Sequence, residues 1–441
     1  MRPERNHRIG AVNMSIRTVM VAALVSLTVA GCDLNLQNPN APTQDQVLSD
    51  IEGLKAVAVG MQDEYASNVD TYVQAPALVT DEWGTKSRAL LAWISLMTGE
   101  NFDNTYGTVE GPWAASYRVI KAANTLIEGV PQSTLGAGFQ AGMLGLAHLF
   151  KGMALGQLYL HYQQAPIDIS SDQPTPAPRG EVLDSALAEF ASAKAALQGV
   201  SAADLGGFNS TVKGAGLDLM NTINAMMARY SLFKGNDQDA IDAANAVDPT
   251  VLSTFDYVSP SINPINDLAF RTDYVAGLQS FAADAMAGDQ RPAYWLQVGA
   301  AAPTGNPADT LLYELNQYTS TGDPYPIYLP DEMKLIKAEA LTDLGAANYA
   351  QAAALINEVH TQTSSPVNEP LAGMAAIPNS SLSSETQLLT QIAYERRYEL
   401  YMQGLRWEDM RRLGTYITDT YTMEFLPTPQ QECLSNAHAG C

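Results

Sequence analysis

The segment Glu395-Arg396-Arg397-Tyr398-Glu399-Leu400-Tyr401-Met402-Gln403-Gly404-Leu405-Arg406-Trp407-Glu408-Asp409-Met410-Arg411-Arg412 decides how this chain is read. Nine of its 18 residues are charged, against 16% over the whole sequence, and five of them are arginines. Glu395 and Glu399 stand one helical turn apart and share a face. Gly404 is placed to take the left-handed conformation that ends a helix, after which Arg406, Trp407 and Asp409 open a second, short one. Arginine forks bind carboxylates through two parallel hydrogen bonds, so Glu395, Arg396, Arg397, Glu399, Arg406 and Asp409 read as an ionic clamp between two helices. A solvated charged face is the plainer alternative. Against it, Leu400, Leu405, Trp407 and Met410 interleave apolar anchors among the charges. A catalytic carboxylate cluster is the weakest reading, because so many arginines hold the acids ionised and paired.

Helical patterning extends outward from this segment. Apolar positions recur with helical spacing over Asp45–Tyr65 and over Trp113–Val130, where Pro112 sits just inside the start. Phe139–Tyr162 is nearly apolar throughout and is expected to be buried between neighbours. Pro166, Pro174, Pro176 and Pro178 make Gln163–Arg179 a surface loop. Further helices are predicted at Glu181–Leu197, Leu217–Phe233 and Asp237–Val247, with further pairs at Asp331–Leu344 with Tyr349–His360 and at Glu385–Leu413. Paired amphipathic helices joined by short turns predict a mainly α fold, a tetratricopeptide-like helical-pair scaffold. No strict repeat is visible, so spacing alone leaves an irregular all-helical domain open.

One stretch departs from this pattern. Residues 248–330 hold 9 of the 24 prolines and 11 aromatics, and no helical period persists there. Long irregular insertions on a rigid scaffold commonly carry binding surfaces, so this is read as a loop-rich ligand-binding lobe. Its aromatics serve equally well as the core of that lobe. The body is thus expected to be one unit over 45–441, with helical repeats over about 45–247 and 331–413, the insert over 248–330 and a tail over 414–441. In an oxidising compartment Cys433 and Cys441 are close enough in sequence to bridge and staple that tail.

The N-terminus reads as an address. Arg2, Arg5, Arg8 and Arg17 precede an apolar run from Val19 to Ala30, too short for a membrane span. Val29-Ala30-Gly31-Cys32 looks like a bacterial lipobox, with Cys32 as the lipid-attachment residue; Met14 offers a second start. Residues 1–31 are the expected lipoprotein signal peptide and 32–44 a polar, proline-containing tether. The full 441-residue chain carries a formal charge of −23, with 47 acids against 24 bases. Removing the leader's four arginines and one acid makes it −26. That balance excludes a nucleic-acid binder, which needs a basic stripe. A mean hydropathy of −0.09 excludes a polytopic membrane protein.

The run E-R-R-x-E-L-x-x-x-G-x-R-W-x-D-M-x-R at Glu395–Arg412 resembles the signature of the SusD/RagB outer-membrane lipoproteins. Further segments resemble the family in order. They are Leu34–Thr43 after the lipid cysteine, Trp113-x3-Tyr117-x2-Ile120-x3-Asn124, Arg179–Leu197, Ala225–Gly235, Met333–Leu341 and Phe425–Gln430. Gln403 stands where the family usually has glutamate, and the cysteine-bearing tail is atypical. The resemblance implies a lid on a SusC-like TonB-dependent transporter barrel in the outer membrane. Such a lid is anchored by lipid, faces the cell exterior, and captures oligosaccharide or peptide without chemistry and without a cofactor.

Sugars offer flat C–H faces that lie on exposed aromatic rings, with polar neighbours fixing orientation. Trp83, Trp93, Tyr106, Tyr294 and Trp295 are the candidate ligand-binding residues, chosen by composition and place. Two other classes remain open: a secreted, lipid-anchored glycoside hydrolase, and a repeat scaffold that binds only proteins. No G-x-S-x-G, H-E-x-x-H or calcium-loop pattern is present, and Gly84-Thr85-Lys86-Ser87 lacks the adjacency of a phosphate loop. His148 and His161 read as packed or solvated side chains, and no metal ligand set is expected.

Overall fold

The computed structural model describes residues 50–441 apart from Asn101 and Asp309. Cys32, the leader and the tether lie outside the described residues. No helix among these residues is long and apolar enough to cross a membrane.

Local sequence sets the helix ends. Asp50 caps α1 (Ile51–Ala66) by accepting from the Glu52 and Gly53 backbone N–H groups at 3.3 and 3.1 Å. Then come α2 (Val69–Val79), α3 (Leu91–Thr98), α4 (Gly107–Gly129), α5 (Ala137–His161), α6 (Arg179–Ala196) and α7 (Gly206–Thr211). Asp218 caps α8 (Leu219–Lys234), which ends on Gly235, and α9 (Asp237–Asn245) follows. In this half α1 packs on α4, α4 on α5, α5 on α6, and α6 on α8. The helical frame resumes with α12 (Pro330–Asp343), α13 (Tyr349–His360), α14 (Glu385–Glu399) and α15 (Arg406–Arg412). The short α16 (Gln430–Ser435) lies in the tail. Here α9 packs on α12, and α12 packs on both α13 and α14. Each helix buries a face against its neighbour in the manner of a stacked helical scaffold. As expected, α5 is buried over most of its length; Leu146, Leu149, Phe150, Leu155 and Leu158 are wholly enclosed.

Between α9 and α12 the chain forms short pieces. There β5 (Val275–Leu278) and β6 (Leu312–Tyr313) join β1 (Trp83–Thr85), from the connection between α2 and α3, in an antiparallel sheet in which Trp83 faces Gly277 and Gly277 faces Tyr313. β4 (Thr254–Phe255) pairs with β7 (Tyr325–Pro326). A helical turn over Pro264–Asn266 running on into Asp267–Arg271, and two single-turn helices, α10 (Gln279–Ala283) and α11 (Arg291–Trp295), also lie in the segment.

Two local expectations change. The proline-rich loop contains an antiparallel pair, β2 (Gln164–Pro166) with β3 (Pro176–Pro178). Pro166 faces Pro176 across it, which a two-stranded ribbon tolerates because each strand has a free edge. α4 starts at Gly107, six residues before Trp113, so Pro112 lies inside the helix; the Glu110 N–H to Tyr106 carbonyl bond (3.2 Å) is already made upstream of it. As expected, Glu385–Leu413 is two helices parted near Gly404. Its break takes two left-handed residues, Met402 and Gly404, at φ 60° and 70°. A Cβ on Gly404 would stand 2.9 Å from the Tyr72 carbonyl of α2, so a glycine is needed for close approach as well as for conformation.

Candidate functional site

The signature segment seats two different sets of partners. At its C-terminal end Asp409 accepts from Arg396 Nε at 2.8 Å and from Arg412 Nη2 at 2.7 Å. Arg412 also grips Glu339 of α12. Glu408 accepts from Tyr159 at 2.6 Å, from Arg411 Nε at 2.9 Å, and from Arg179. The Arg179 guanidinium lies 3.8 Å above the Tyr159 ring and that of Arg411 lies 4.7 Å from Trp407. Burial alone would raise both acids. For Glu408 the charges of Arg411 and Arg179 outweigh it, and for Asp409 those of Arg396 and Arg412 do, so both are held below the usual carboxylate range.

At the N-terminal end the partners come from the insert. Arg291 of α11, fully buried, pairs with Asp289 and Glu395 at 2.7 Å each and stands 3.6 Å from Glu399. Trp295 donates its indole N–H to the Tyr398 carbonyl at 2.8 Å. The Phe281 ring lies 4.8 Å from Tyr398 and 4.2 Å from Tyr401. Each of the six expected clamp residues makes an ion pair, and among the described residues Arg396–Asp409 is the one such pair that joins the two helices; Arg406 also donates to the Ala393 carbonyl at 3.4 Å. Glu395 reaches His360 and Arg291, while Arg397 and Arg406 reach Asp419, and Arg397 also reaches Asp284. The segment therefore fixes the insert onto the helical frame. Glu408, Arg412 and Arg179, which the sequence reading left out of the clamp, tie α15 to the helical frame at Tyr159 and Glu339.

Where the insert meets the frame a pocket of about 270 Å³ opens, close to the lower end of the range for ligand sites. Half-buried Tyr294 and buried Tyr318 supply rings, and Asn316, Gln317, Asp323 and Asn368 supply polar groups. The amide N–H groups of Asn316 and Gln317 are tied to backbone: Asn316 to the Ala293 carbonyl at 3.1 Å, Gln317 to the Tyr294 carbonyl at 2.9 Å. This fixes both side chains and leaves their carbonyl oxygens as acceptors. Asp323 is positioned by the Ser320 N–H at 2.9 Å. Among the described residues Asp323 is the one carboxylate in the pocket wall.

The five aromatic candidates do not converge. Tyr294 and Trp295 both line the pocket, Tyr294 the more exposed of the two; their rings meet edge to face at 4.7 Å. Trp295 is 1% exposed and Trp83 is fully enclosed, so neither presents a face to a ligand. Both are core residues because they lie where the insert closes on the α14–α15 turn. Trp93, also buried, packs edge to face on Tyr274 at 5.0 Å, and Tyr106 packs on Phe102 at 5.9 Å. The pocket's amides were missed in sequence, since isolated Asn and Gln in a polar loop carry no spacing signal. His161 packs in the core as expected, and burial lowers it to about 4. The two tail cysteines, Cys433 and Cys441, are bridged. A separate groove of about 670 Å³ beside Trp113 and Tyr117 is walled almost wholly by apolar atoms.

Residues 319–431 match the model of the SusD family. No curated protein matches the sequence. Among solved structures, the fold is similar to a SusD-like carbohydrate binding protein from Bacteroides vulgatus, with 14% identity and a TM-score of 0.70 over 88% of this chain and 97% of that one. It is similar to NanU of B. fragilis, at 14% identity and a TM-score of 0.68, covering 91% and 98% of the two chains. It is also similar to a SusD/RagB family protein from Bacteroides thetaiotaomicron, at 15% identity and 0.64 over 88% and 95%. The segment that holds the Glu395–Arg412 signature thus matches the SusD family model, and the fold is similar to that of SusD-like proteins along nearly the whole described chain.

Proposed function

We propose that the protein captures oligosaccharide at the outer surface of the cell, held there by a lipid on Cys32, and passes it without chemistry to a SusC-like TonB-dependent barrel. One observation carries this reading: the pocket between insert and frame pairs an aromatic ring, Tyr294, with oxygen acceptors held in fixed positions by backbone contacts. A sugar ring stacks its C–H face on such a ring and donates its hydroxyls to such oxygens. The similarity of fold to a SusD-like carbohydrate binding protein supports the same ligand class. A glycoside hydrolase needs two carboxylates flanking the scissile bond, and this wall carries Asp323 alone.

Calorimetric titration against a glycan panel tests the assignment. The Tyr294→Ala variant is expected to lose at least tenfold in affinity for any glycan bound by the wild type. Trp83→Ala, which empties a core position, is expected to lower thermal stability and leave that affinity within about twofold at a temperature where it is folded. Unchanged affinity in Tyr294→Ala, or binding of peptides in preference to glycans, would overturn the assignment.

A further inference from the structure

Three acids far apart in sequence meet beside the insert's anchor. Asp331 comes from α12, Glu369 from the loop after α13, and Glu399 from the end of α14. One ligand oxygen of each lies within 4.8 Å of the others, and the residues are 1%, 5% and 0% exposed. Glu369 has donors: Gln362 Nε2 at 3.0 Å, Ser365 Oγ at 2.5 Å and the Asp331 N–H at 3.4 Å. Asp331 has Lys334 on Oδ1 alone, and Glu399 has no hydrogen-bond donor. Neither oxygen of Glu399 has a hydrogen-bond partner, nor has Oδ2 of Asp331, although these atoms are closed to solvent.

The charges around them do not balance. Five carboxylates (Asp289, Asp331, Glu369, Glu395 and Glu399) share two permanent cations, Arg291 and Lys334. Arg291 is engaged by Asp289 and Glu395, and Lys334 by Asp331 Oδ1 at 2.6 Å and Gln362 at 2.8 Å. His360 faces Glu395 at 2.7 Å, away from the triad. Surplus negative charge without donors in a closed region calls for a counter-charge that is not a side chain.

We propose that Asp331, Glu369 and Glu399 bind a hard divalent cation of the calcium class. An all-oxygen donor set selects such ions over softer metals. The three oxygens lie within 4.8 Å of one another, which suits the Ca–O distances of about 2.3–2.6 Å and flexible geometry of calcium better than the strict octahedron that magnesium demands. The ion would tie α12, α14 and the loop over residues 361–370 together. That loop carries Asn368 to the pocket wall next to Glu369. The site does not depend on the glycan assignment, and either can fail alone. Without a cation, protons supply the neutralisation: burial and the nearby charge of Asp331 raise Glu399 well above its ordinary value and Glu369 to about 7.

The test uses full-length mature protein stripped with EDTA at pH 7. Calcium is expected to raise the thermal midpoint of the wild type saturably, magnesium to do so more weakly, and terbium to show luminescence sensitised by Tyr294 and Trp295 that calcium displaces. The Glu369→Gln variant is expected to fold with a metal-free midpoint at or above that of the wild type, since one of three like charges is gone. It should need at least tenfold more calcium for any shift. Asp331→Asn is the second variant should the first not fold. No calcium-dependent shift and no sensitised terbium emission in the wild type would show that protons alone balance the triad and would overturn the proposal. Undiminished responses in a folded variant would overturn it too, by placing the ion elsewhere.

Discussion

The two ends of the Glu395–Arg412 segment use the same residue types to opposite effect. Around Asp409 and Glu408, four arginines (Arg179, Arg396, Arg411 and Arg412) surround two signature acids and Glu339, and both signature acids are held ionised. Around Glu399 the ratio reverses. Arg291 is shared among three acids, Asp331 and Glu369 crowd in, and burial drives Glu399 towards its neutral form. Burial is nearly complete at both ends, so depth does not distinguish them. The state of a buried acid is set by how many donors reach it, and a motif alone does not report that number.

The largest effect that would break this contrast is on stability. Asp409→Ala leaves Arg396 and Arg412 buried without their shared acid and is expected to cost about 3–5 kcal/mol in urea unfolding. Glu399→Gln, measured in EDTA at pH 7, is expected to be neutral or stabilising. Similar losses in the two variants would erase the distinction.

The next effect is on pH dependence and carries opposite signs at the two ends. Glu369 is raised in the fold to about 7, by burial first and then by Asp331. The folded form therefore holds the proton more tightly than the unfolded chain. The stability this gives is fully present below the unfolded value of about 4.3 and is lost as pH rises through 7, on the order of 1–3 kcal/mol. Asp409 and Glu408 are lowered, so their contribution is present above about pH 4 and is lost as pH falls through their folded values. Metal-free protein should lose stability between pH 5 and pH 8, and Glu369→Gln should flatten that slope. A rise in stability over that window would contradict the sign.

A smaller effect concerns the turn that separates the ends. Gly404→Ala meets both an unfavourable φ and the Tyr72 carbonyl, and should cost about 1–2 kcal/mol by thermal unfolding. A neutral result would mean that the turn does not set the spacing between α14 and α15.

Much of the frame was legible in the sequence because its signals are local. Helices such as α13 announce themselves by periodicity, and Tyr349–His360 matches the predicted span. The mixture of charges with Leu400, Leu405 and Trp407 told that Glu395–Arg412 is buried. α2 left no such signal: nine of its 11 residues are enclosed and Pro76 interrupts it, so no polar face alternates with an apolar one. The two- to four-residue strands of the insert are too short for any period. The ligand residues were the least legible, since aromatic content does not tell a core ring from an exposed one. Trp83 and Tyr294 looked alike in sequence, and packing on the α14–α15 turn separates them. The acid triad assembles from three distant elements, and only tertiary contact reveals it.

The central claim is capture without bond cleavage at the Tyr294 pocket. It is tested most directly by incubating the purified protein with glycans it binds and measuring both retention and the appearance of new reducing ends. The account predicts saturable retention, intact glycan on recovery, and loss of retention in Tyr294→Ala. Steady release of shorter sugars, or retention that ignores Tyr294, would contradict it.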